Sequence, residues 1–377
     1  MASPSVSAIL DGIANSRVAL DNNEAGSRET LIDQSRALIS ALEIPSEFVQ
    51  RTFWAEPAQS AIIRLAVDVK LFQYLKEAGD AGLTPSAFSQ KTQIDSTLLQ
   101  RLTRHLVAMN LVSFHDGAFY ATKLSNSLAA ENYQHSISFC YDVARPSFNG
   151  FPEYFKKSEY NSPTLGGTDG PFQEAHKTNL PFFEWLVATP QHLHHFGSFM
   201  SAYRAGKPNW HEFYPVTERL TTGFDASISD VLLVDVGGGN GHDVATFAAQ
   251  NSPCSGRIVL QDRETVIADV PIKDARAYSL HSILHDWSDE DGVKILENLV
   301  PALKKGYSRV LFNEIVISEA KPTLAATNMD MMMLAHFAVR ERTEADWRDI
   351  LAQVGLKVVN IYTYPGVAES LIEAELA

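Results

Sequence analysis

The chain contains little cysteine, no long apolar run and no excess of basic residues. Its two cysteines, Cys140 and Cys254, are too few for a disulfide framework and indicate a reducing, cytoplasmic compartment. Without a CxxC pair or a Cys/His cluster the common zinc patterns are excluded, and the sequence predicts no metal. The sequence also lacks an apolar run of about 18 residues and a basic N-terminal patch, which predicts neither a membrane span nor a secretory signal.

Charge and composition narrow the class of function further. The net charge of −14 disfavours a nucleic acid or an anionic membrane as partner. A hydrophobic content of 45% over 377 residues is enough for globular domains with full cores, and the length favours two domains over one. These properties predict a soluble protein whose partner is a small molecule.

Residues 1–45 carry two amphipathic helical patterns, "SAILDGIANSRVAL" and "SRETLIDQSRALISALE". Their polar faces are broad, so the helices need a partner surface to be stable. A frayed N-terminal tail is the alternative interpretation. We expect N-terminal helices that pack against another part of the protein.

Residues 46–125 have the pattern of a winged helix. A helix closed by Gly79 precedes two helices that begin at the capping residues Thr84 and Asp95. The alternating segment "VSFHDGAFYAT" around Asp116-Gly117 then predicts a hairpin. This succession of helices and hairpin predicts a compact winged-helix domain.

Winged helices often bind DNA, and the candidate recognition helix here carries Arg101, Arg104 and His105. The strongly acidic chain argues against a nucleic-acid partner. A structural or dimer-forming role fits the composition better than DNA binding does.

Residues 126–225 are predicted to be mainly helical and are broken by the loop "NSPTLGGTDGP". Phe and His are frequent in this segment, as in "PFFEWLVATPQHLHHFGSFM". Aromatic side chains at this place either line a substrate pocket or simply pack between helices. His135, His194 and His195 are candidate pocket residues on the first interpretation.

From residue 226 to residue 377 the pattern alternates between strand and helix. The apolar segments "VLLVDV", "RIVLQD", "ARAYSL" and "SRVLFNEIV" are typical of strands in a parallel sheet that is buried on both faces. Two helices with acidic first turns follow, "DEDGVKILENLVPALKKG" and "TEADWRDILAQVG", and two further strands close the chain. The segment predicts a doubly wound, Rossmann-like α/β domain.

A glycine-rich turn follows the first of these strands. Glycines at 237, 238, 239 and 241 stand between a strand and a helix, where absent Cβ atoms let a ligand lie against the backbone. Asp262 ends the next strand, in a position to accept hydrogen bonds from ribose hydroxyls. The turn lacks the GxGxxG spacing, and Asp235 would repel a diphosphate. The residues favour a cationic ligand such as S-adenosylmethionine, with NAD or a purely structural turn as alternatives.

Four segments and their order resemble class I small-molecule O-methyltransferases of the plant caffeate type and the fungal polyketide type. The segments are "DVGGGNGH" (235–242), "LHDWSDED" (284–291), "NEIV" (313–316) and "MLAHFAVRERTE" (333–344). The resemblance extends from about residue 45 to the end and includes the winged-helix dimerisation domain. It implies S-adenosylmethionine as cofactor, a small aromatic or polyketide-type acceptor and a homodimer.

The resemblance also assigns roles to individual residues. The implied catalytic residues are His285 as general base and Glu314 and Glu341 as the acids that flank it. The implied cofactor-binding residues are Asp235, Gly237, Gly238, Gly239, Gly241, Asp262 and Trp287, with Asp262 on the ribose and Trp287 near the adenine. The predicted substrate-pocket residues are His135, Met332 and Asp286.

Elementary chemistry agrees with the role of His285. A phenol is a poor nucleophile at neutral pH, and an imidazole within hydrogen-bond reach can take its proton during methyl transfer. Carboxylates can fix the tautomer of the imidazole and stabilise the imidazolium. His285 follows one strand and Glu314 ends the next, so both are expected at the carboxyl edge of the sheet, where ligands bind.

The sequence departs from the family at one place. Only the 12 residues "RETVIADVPIKD" (263–274) separate two strands between which the family has a helix, a further strand with an acidic-aromatic motif, and a loop. The short "ETVIADV" helix fills most of this segment, so the strand has no room. Asp269 and Asp274 are poor substitutes for the acid that contacts the adenine.

Three explanations of the short segment stand side by side. The adenine pocket lacks one side, methyl transfer is lost, or the sequence derives from a gene model without a short coding segment. Removal of a central strand is costly, which favours the third explanation or a rearranged sheet. Some fungal proteins that resemble this family act as pericyclases, which guide dehydration or cycloaddition without methyl transfer. The alternatives to a methyltransferase are therefore a pericyclase and an inactive homologue.

Overall fold

The protein consists of two compact units. A computed structural model describes residues 4–165, 167–239, 241–252, 256–262 and 272–377. The first unit, called the helical unit, comprises Met1–Val6, Ala37–Lys157 and Phe172–Gly206. The second, called the sheet unit, comprises Ser7–Arg36, Ser158–Pro171 and Lys207–Ala377. The predicted segments 1–45, 46–125, 126–225 and 226–377 are stretches of chain, and their boundaries stay a prediction.

Helices predominate in the first half of the chain and alternate with strands in the second. In chain order the helices are α1 Val6–Asp21, α2 Ser27–Leu42, α3 Pro45–Gln50, α4 Glu56–Asp68, α5 Leu71–Ala78, α6 Pro85–Thr92, α7 Ser96–Ala108, α8 Lys123–Leu128, α9 Glu131–Phe139, α10 Arg145–Lys157, α11 Pro171–His176, α12 Phe182–Ala188, α13 Pro190–Ala202, α14 Trp210–Phe213, α15 His242–Gln250, α16 Asp289–Leu299, α17 Leu324–Phe337 and α18 Glu344–Gln353. The strands are β1 Val112–His115, β2 Ala118–Ala121, β3 Val231–Val236, β4 Arg257–Gln261, β5 Ala277–His281, β6 Arg309–Ile317, β7 Arg342–Thr343, β8 Leu356–Tyr362 and β9 Glu369–Leu376. In the described part of the chain, none of the helices has the length and apolar character needed to cross a bilayer.

The winged-helix pattern is confirmed in the helical unit. Thr84 and Asp95 cap α6 and α7, because their side chains accept hydrogen bonds from backbone N–H groups of the first turn. The hairpin β1–β2 turns at Asp116 and Gly117, both with positive φ, which the tight two-residue turn requires. The predicted helix, helix and hairpin therefore pack around one core that includes Leu71, Phe72, Phe88, Leu99 and Leu106.

The prediction of one continuous helix ending at Gly79 is wrong, because the structure has two helices, α4 and α5, in this segment. The backbone of Lys70 is left-handed (φ 55°), and it separates α4 from α5. The break changes the direction of the chain so that Leu71, Phe72 and Leu75 at the start of α5 become fully buried. Burial of these three side chains compensates the unfavourable conformation of one lysine.

The sheet unit contains the predicted doubly wound α/β domain. Its strands lie in the order β4-β3-β5-β6-β9-β8, and β7 pairs with β6. Strands β3 to β6 are parallel, and β9 is antiparallel to both of its neighbours. All six residues of β3 are buried, as its continuous apolar run predicts for a central strand covered on both faces.

Strand β4 pairs with β3 on one side, and no strand of the described residues pairs with its other side. Its residues are only partly covered, and Leu260 is 42% exposed. An apolar strand with this exposure lacks the neighbour that a longer sheet would provide. The predicted "ETVIADV" helix and Asp269 lie outside the described residues, as does Cys254.

The helix predicted over "DEDGVKILENLVPALKKG" begins as expected and ends early. Ser288 caps α16 by accepting a hydrogen bond from the Asp291 N–H, and three acidic residues occupy its first turn. The α-helix ends at Leu299 rather than near Gly306, and a short 3₁₀ turn follows. Pro301 explains the difference, because proline has no N–H to donate to the preceding turn.

The N-terminal helices have the partner surface that their amphipathic pattern predicts. Most of α1 and α2 belongs to the sheet unit. The Lys207 ammonium donates to the Glu29 carboxylate on α2 (3.3 Å) and to the Gly366 carbonyl between β8 and β9 (2.8 Å). A Cβ atom on Gly26 would lie 2.2 Å from the Cβ of Pro365, so the approach of the two segments is close. The interpretation of this segment as a frayed tail is wrong.

Candidate active site

The candidate site is built at the carboxyl edge of the parallel strands in the sheet unit. Strand β3 leads into the glycine turn, β5 leads into a 3₁₀ turn over Leu284–Asp286, and β6 carries Glu314 beside that turn. Neighbouring parallel strands bring these three segments to one edge. The predicted catalytic segments and the predicted cofactor turn therefore meet in one unit.

The glycine turn has a backbone that side chains would disturb. Gly237, Gly239 and Gly241 have positive φ, and the Gly237 N–H donates to the Gln261 carbonyl at the end of β4 (2.7 Å). A Cβ on Gly237 would lie 2.6 Å from the Cδ1 of Ile283, which shows that the turn packs against the chain just before His285. Asn240 lies outside the described residues. Among the described residues, the nearest atom to a Cβ on Gly239 would be Asp262 Oδ2 at 3.9 Å, so they leave open space in front of this glycine.

Asp235 is a buried acid for which the described residues provide no hydrogen-bond partner. The residue is 1% exposed, and neither carboxylate oxygen has a partner among them. Burial, followed by the charge of Asp243, raises the pKa of Asp235 to about 7. A buried carboxylate of this kind is stabilised by a positively charged or donating ligand. A Cβ on Gly238 would lie 2.2 Å from Asp235 Oδ2, so the acid also requires glycine at 238.

Asp262 lies directly after β4 and bonds to the glycine turn. Its carboxylate accepts a hydrogen bond from the Gly239 N–H, and the residue is exposed. The contact places an acid beside the open space at Gly239. Together, the open backbone, the exposed acid and Asp235, which has no hydrogen-bond partner among the described residues, suit an adenosine-containing cation better than a diphosphate, whose charge Asp235 would repel.

His285 is buried among three carboxylates. Its Nδ1 lies 2.9 Å from Glu341 Oε1, within hydrogen-bond distance, and its Nε2 lies 3.5 Å from Asp286 Oδ1. Burial disfavours the charged ring, but the charges of Asp286, Glu341 and Glu314 and the hydrogen bond to Glu341 outweigh it and raise the pKa of His285 to about 10. The imidazole is therefore an unusually strong proton acceptor.

The two acids predicted to flank His285 act on it differently. Glu341 contacts the ring, whereas Glu314 accepts the backbone N–H groups of Ile283 (2.9 Å) and Leu284 (2.8 Å). Glu314 is fully buried, and burial raises its pKa to about 7. Glu314 thus fixes the backbone that carries the histidine, and it influences the ring by its charge.

Arg342 is a site residue that the sequence reasoning missed. Its guanidinium is 1% exposed and donates to the carbonyls of Leu284 (2.6 Å) and Trp287 (2.9 Å) and to Asp289 (2.8 Å). The turn around His285 is thus held from one side by Glu314 and from the other by Arg342. The signal was present in "RERTE", since an arginine next to a catalytic acid suggests a charge that is used locally.

The remaining predicted residues occupy different places. Trp287 and Asp286 are half-buried in the turn with His285, and Met332 is half-buried on α17, which packs against that turn. His135 lies on α9 in the helical unit. That unit contains a separate cavity of about 390 Å³ with mostly apolar walls, which include Ile63, Tyr133, Ile137, Tyr141, Phe199 and Tyr203. The roles assigned to these residues stay predictions.

The strand order and the turn after β3 define an α/β domain of the class I methyltransferase type. A model of the O-methyltransferase domain matches residues 263–357. The chain is 63% identical to the O-methyltransferase mpaG of Penicillium roqueforti (strain FM164) over 398 residues, with 100% of both chains covered. The chain belongs to the family of class I S-adenosylmethionine-dependent O-methyltransferases, as the sequence motifs imply.

Solved structures agree on the fold. A pericyclic reaction enzyme superposes with a TM-score of 0.88 at 23% identity, over 99% of each chain. The complex of LepI with SAM gives the same TM-score, identity and coverage. At this identity the similarity shows the fold alone. The fold therefore does not identify the reaction, and the arrangement of residues in the site has to identify it.

The alignment with the Penicillium roqueforti protein also bears on the short segment. Its 398 positions exceed the 377 residues of the chain by 21, so at least 21 positions have no residue of this chain. Because both chains are covered from end to end, these gaps are internal. A total of 21 positions is enough for a strand and its connections.

Substitution of Gly239 by valine is expected to abolish S-adenosylmethionine binding while the fold is retained. The new side chain would fill the open space that faces the turn. Gly306→Val is the matched control, since Gly306 also has a positive φ and open space around its Cβ position but lies outside the site. Calorimetric titration of both variants, with melting temperatures as the folding check, measures the effect. Equal cofactor affinity in the two variants would show that the turn is purely structural.

Proposed function

We propose that the protein transfers a methyl group from S-adenosylmethionine to a hydroxyl of a small aromatic or polyketide-type molecule, with His285 as general base. The observation that carries the proposal is the buried His285–Glu341 pair in a turn that packs against the glycine turn through Ile283. A base beside a cofactor turn is the arrangement that methyl transfer to a weakly acidic hydroxyl needs. The O-methyltransferase name of the 63% identical relative supports the same reaction.

Five residues of the site take part in this reaction, each in a different way. Bound S-adenosylmethionine supplies the electrophilic methyl group. His285 takes the hydroxyl proton on Nε2, since its Nδ1 is occupied by Glu341. Glu341 stabilises the imidazolium that forms, and Glu314 and Arg342 keep the turn in place. The buried carboxylate of Asp235 favours a cationic ligand at the glycine turn.

Two observations support the acceptor class. Trp287 is half-buried in the turn with His285, and Met332 is half-buried on α17, which packs against that turn. The cavity of the helical unit has a size and an apolar, aromatic lining that suit a small aromatic molecule. An acidic phenol-type hydroxyl is the group that an imidazole base activates best.

Replacement of His285 by alanine is expected to reduce methyl transfer by a factor of roughly 10²–10⁴, because the general base is lost. The assay follows labelled methyl groups from S-adenosylmethionine to phenolic and pyridone polyketides. His115→Ala, in the exposed end of the hairpin, is the control and should retain full activity. Undiminished label transfer by His285→Ala would contradict the base assignment. Conversion of the acceptor without label transfer in the unmutated protein would replace the proposal by a pericyclase.

The rate of methyl transfer is expected to rise with pH over the range in which His285 loses its proton. The raised pKa keeps the ring protonated, and therefore unable to act as base, up to alkaline pH. Glu341→Gln removes one of the charges that raise this pKa, so the rise should move to lower pH while the maximal rate falls. The pH profile of kcat/KM, with one acceptor throughout, measures the shift. Glu344→Gln, on the exposed start of α18, should leave the midpoint unchanged, and an unchanged midpoint in Glu341→Gln would contradict the assignment.

We also propose that the protein is a homodimer formed through its N-terminal region. Within residues 44–54 of the helical unit, Ile44, Val49, Phe53 and Trp54 are 55%, 54%, 72% and 72% exposed. Large apolar side chains concentrated in so short a segment are typical of a protein–protein contact. The dimerisation implied by the family resemblance agrees with this surface.

Trp54→Glu is expected to convert the dimer into a monomer, because a carboxylate would be buried in the contact. Light scattering at micromolar concentration should give twice the 41.6 kDa mass of the chain for the unmutated protein and the single mass for the variant. Val187→Glu is the control, since Val187 is an exposed apolar residue elsewhere in the helical unit (69%) and should not affect the mass. A monomeric unmutated protein would contradict the proposal.

The reaction is proposed to take place in the cytoplasm. The support is the low cysteine content of the chain, in which Cys140 is a free thiol. A free thiol of this kind is expected to persist in a reducing compartment. Fluorescence microscopy of the tagged protein in a fungal host would test the location.

A further inference from the structure

Three potential metal ligands come together in the helical unit. Glu131 and His135 are one helical turn apart on α9, and His194 lies on α13. One ligand atom from each residue lies within 4.8 Å of the others. Residues four apart on a helix project from the same face, so Glu131 and His135 form one half of the group and α13 contributes the other.

The two helices hold these side chains in a fixed relation. Helices α9 and α13 pack against each other along the helical unit. The rings of His135 and His194 are 4.5 Å apart between centroids and are inclined by 65°. Sites built on packed helices keep their geometry better than sites on loops.

His135 already has the partner that a metal-ligating histidine usually has. Its Nδ1 lies 3.1 Å from the hydroxyl oxygen of Ser198, one turn beyond His194 on α13. This hydrogen bond orients the ring and leaves Nε2 for another contact. Second contacts of this kind fix the tautomer of ligating histidines in metalloproteins.

We propose that Glu131, His135 and His194 bind one divalent transition-metal ion. Two imidazoles and one carboxylate suit zinc, cobalt or nickel, whereas magnesium and calcium prefer oxygen ligands alone. Glu131 and His194 are exposed and His135 is half-buried, so the ion has an entry path and room for water ligands. The ion ties α9 to α13. The inference does not depend on the proposed methyl transfer, and it gives His135 a role other than that of a substrate-pocket residue.

The test uses the full chain without a histidine tag, stripped of metal by a chelator. Titration with Co²⁺, followed by its visible absorption and by calorimetry, should show one bound ion per chain and a rise in the melting temperature. Mg²⁺ should give neither signal. If removal of His194 left Co²⁺ binding unchanged, the ion would bind adventitiously at other surface histidines, and the proposal would be overturned. The absence of Co²⁺ binding would overturn it as well.

Four variants locate the ion. His194→Ala and Glu131→Gln should each weaken Co²⁺ binding by at least about tenfold, and Ser198→Ala by about 10–100-fold through the orientation of His135. His115→Ala removes an exposed histidine outside the group and should bind like the unmutated protein. Because Glu131 and His194 are exposed, their substitution should leave the metal-free melting temperature unchanged. Equal affinity in His194→Ala and His115→Ala would place the ion elsewhere and contradict the site.

Discussion

The candidate active site depends on how buried carboxylates are compensated at the carboxyl edge of the sheet. Asp235, Glu314 and Glu341 are each at most 4% exposed, and a buried charge is costly unless it is paired or hydrogen-bonded. Glu314 accepts hydrogen bonds from two backbone N–H groups, and Glu341 accepts a hydrogen bond from the imidazole of His285. These contacts determine where the turn around His285 lies. Asp235 has no such partner among the described residues, so it favours a cationic ligand.

Much of this arrangement could be predicted from the sequence, for identifiable reasons. Continuous apolar runs marked the parallel strands, and glycines between a strand and a helix marked the cofactor turn. The separate functions of Glu314 and Glu341 could not be predicted, because both acids stand at expected positions and only their hydrogen bonds distinguish them. The break at Lys70 was missed since no glycine or proline marks it. The group of Glu131, His135 and His194 was missed because its ligands come from two helices that are far apart in the chain. Binding of an ion by this group would contradict the prediction of no metal.

The open edge of β4 connects the sequence departure with the cofactor. The domain keeps β3, β5 and β6 buried and in register, so the loss of a neighbour beside β4 leaves the base and the glycine turn in place. The exposed Leu260 lies at the edge, close to Gly238 and Gly241. Because the base and the glycine turn keep their places, reduced cofactor affinity with retained chemistry is the effect that we expect of the short segment.

The raised pKa of His285 is consistent with a base for a phenol. A phenol of tyrosine type has a pKa near 10, and the carboxylates raise the pKa of His285 to about 10. Transfer of the proton to His285 is therefore less unfavourable than transfer to an ordinary imidazole, whose pKa is about 6.5. Once the proton has moved, the negative charges of Glu341 and Asp286 stabilise the imidazolium, and the phenolate left beside it is the nucleophile that accepts the methyl group.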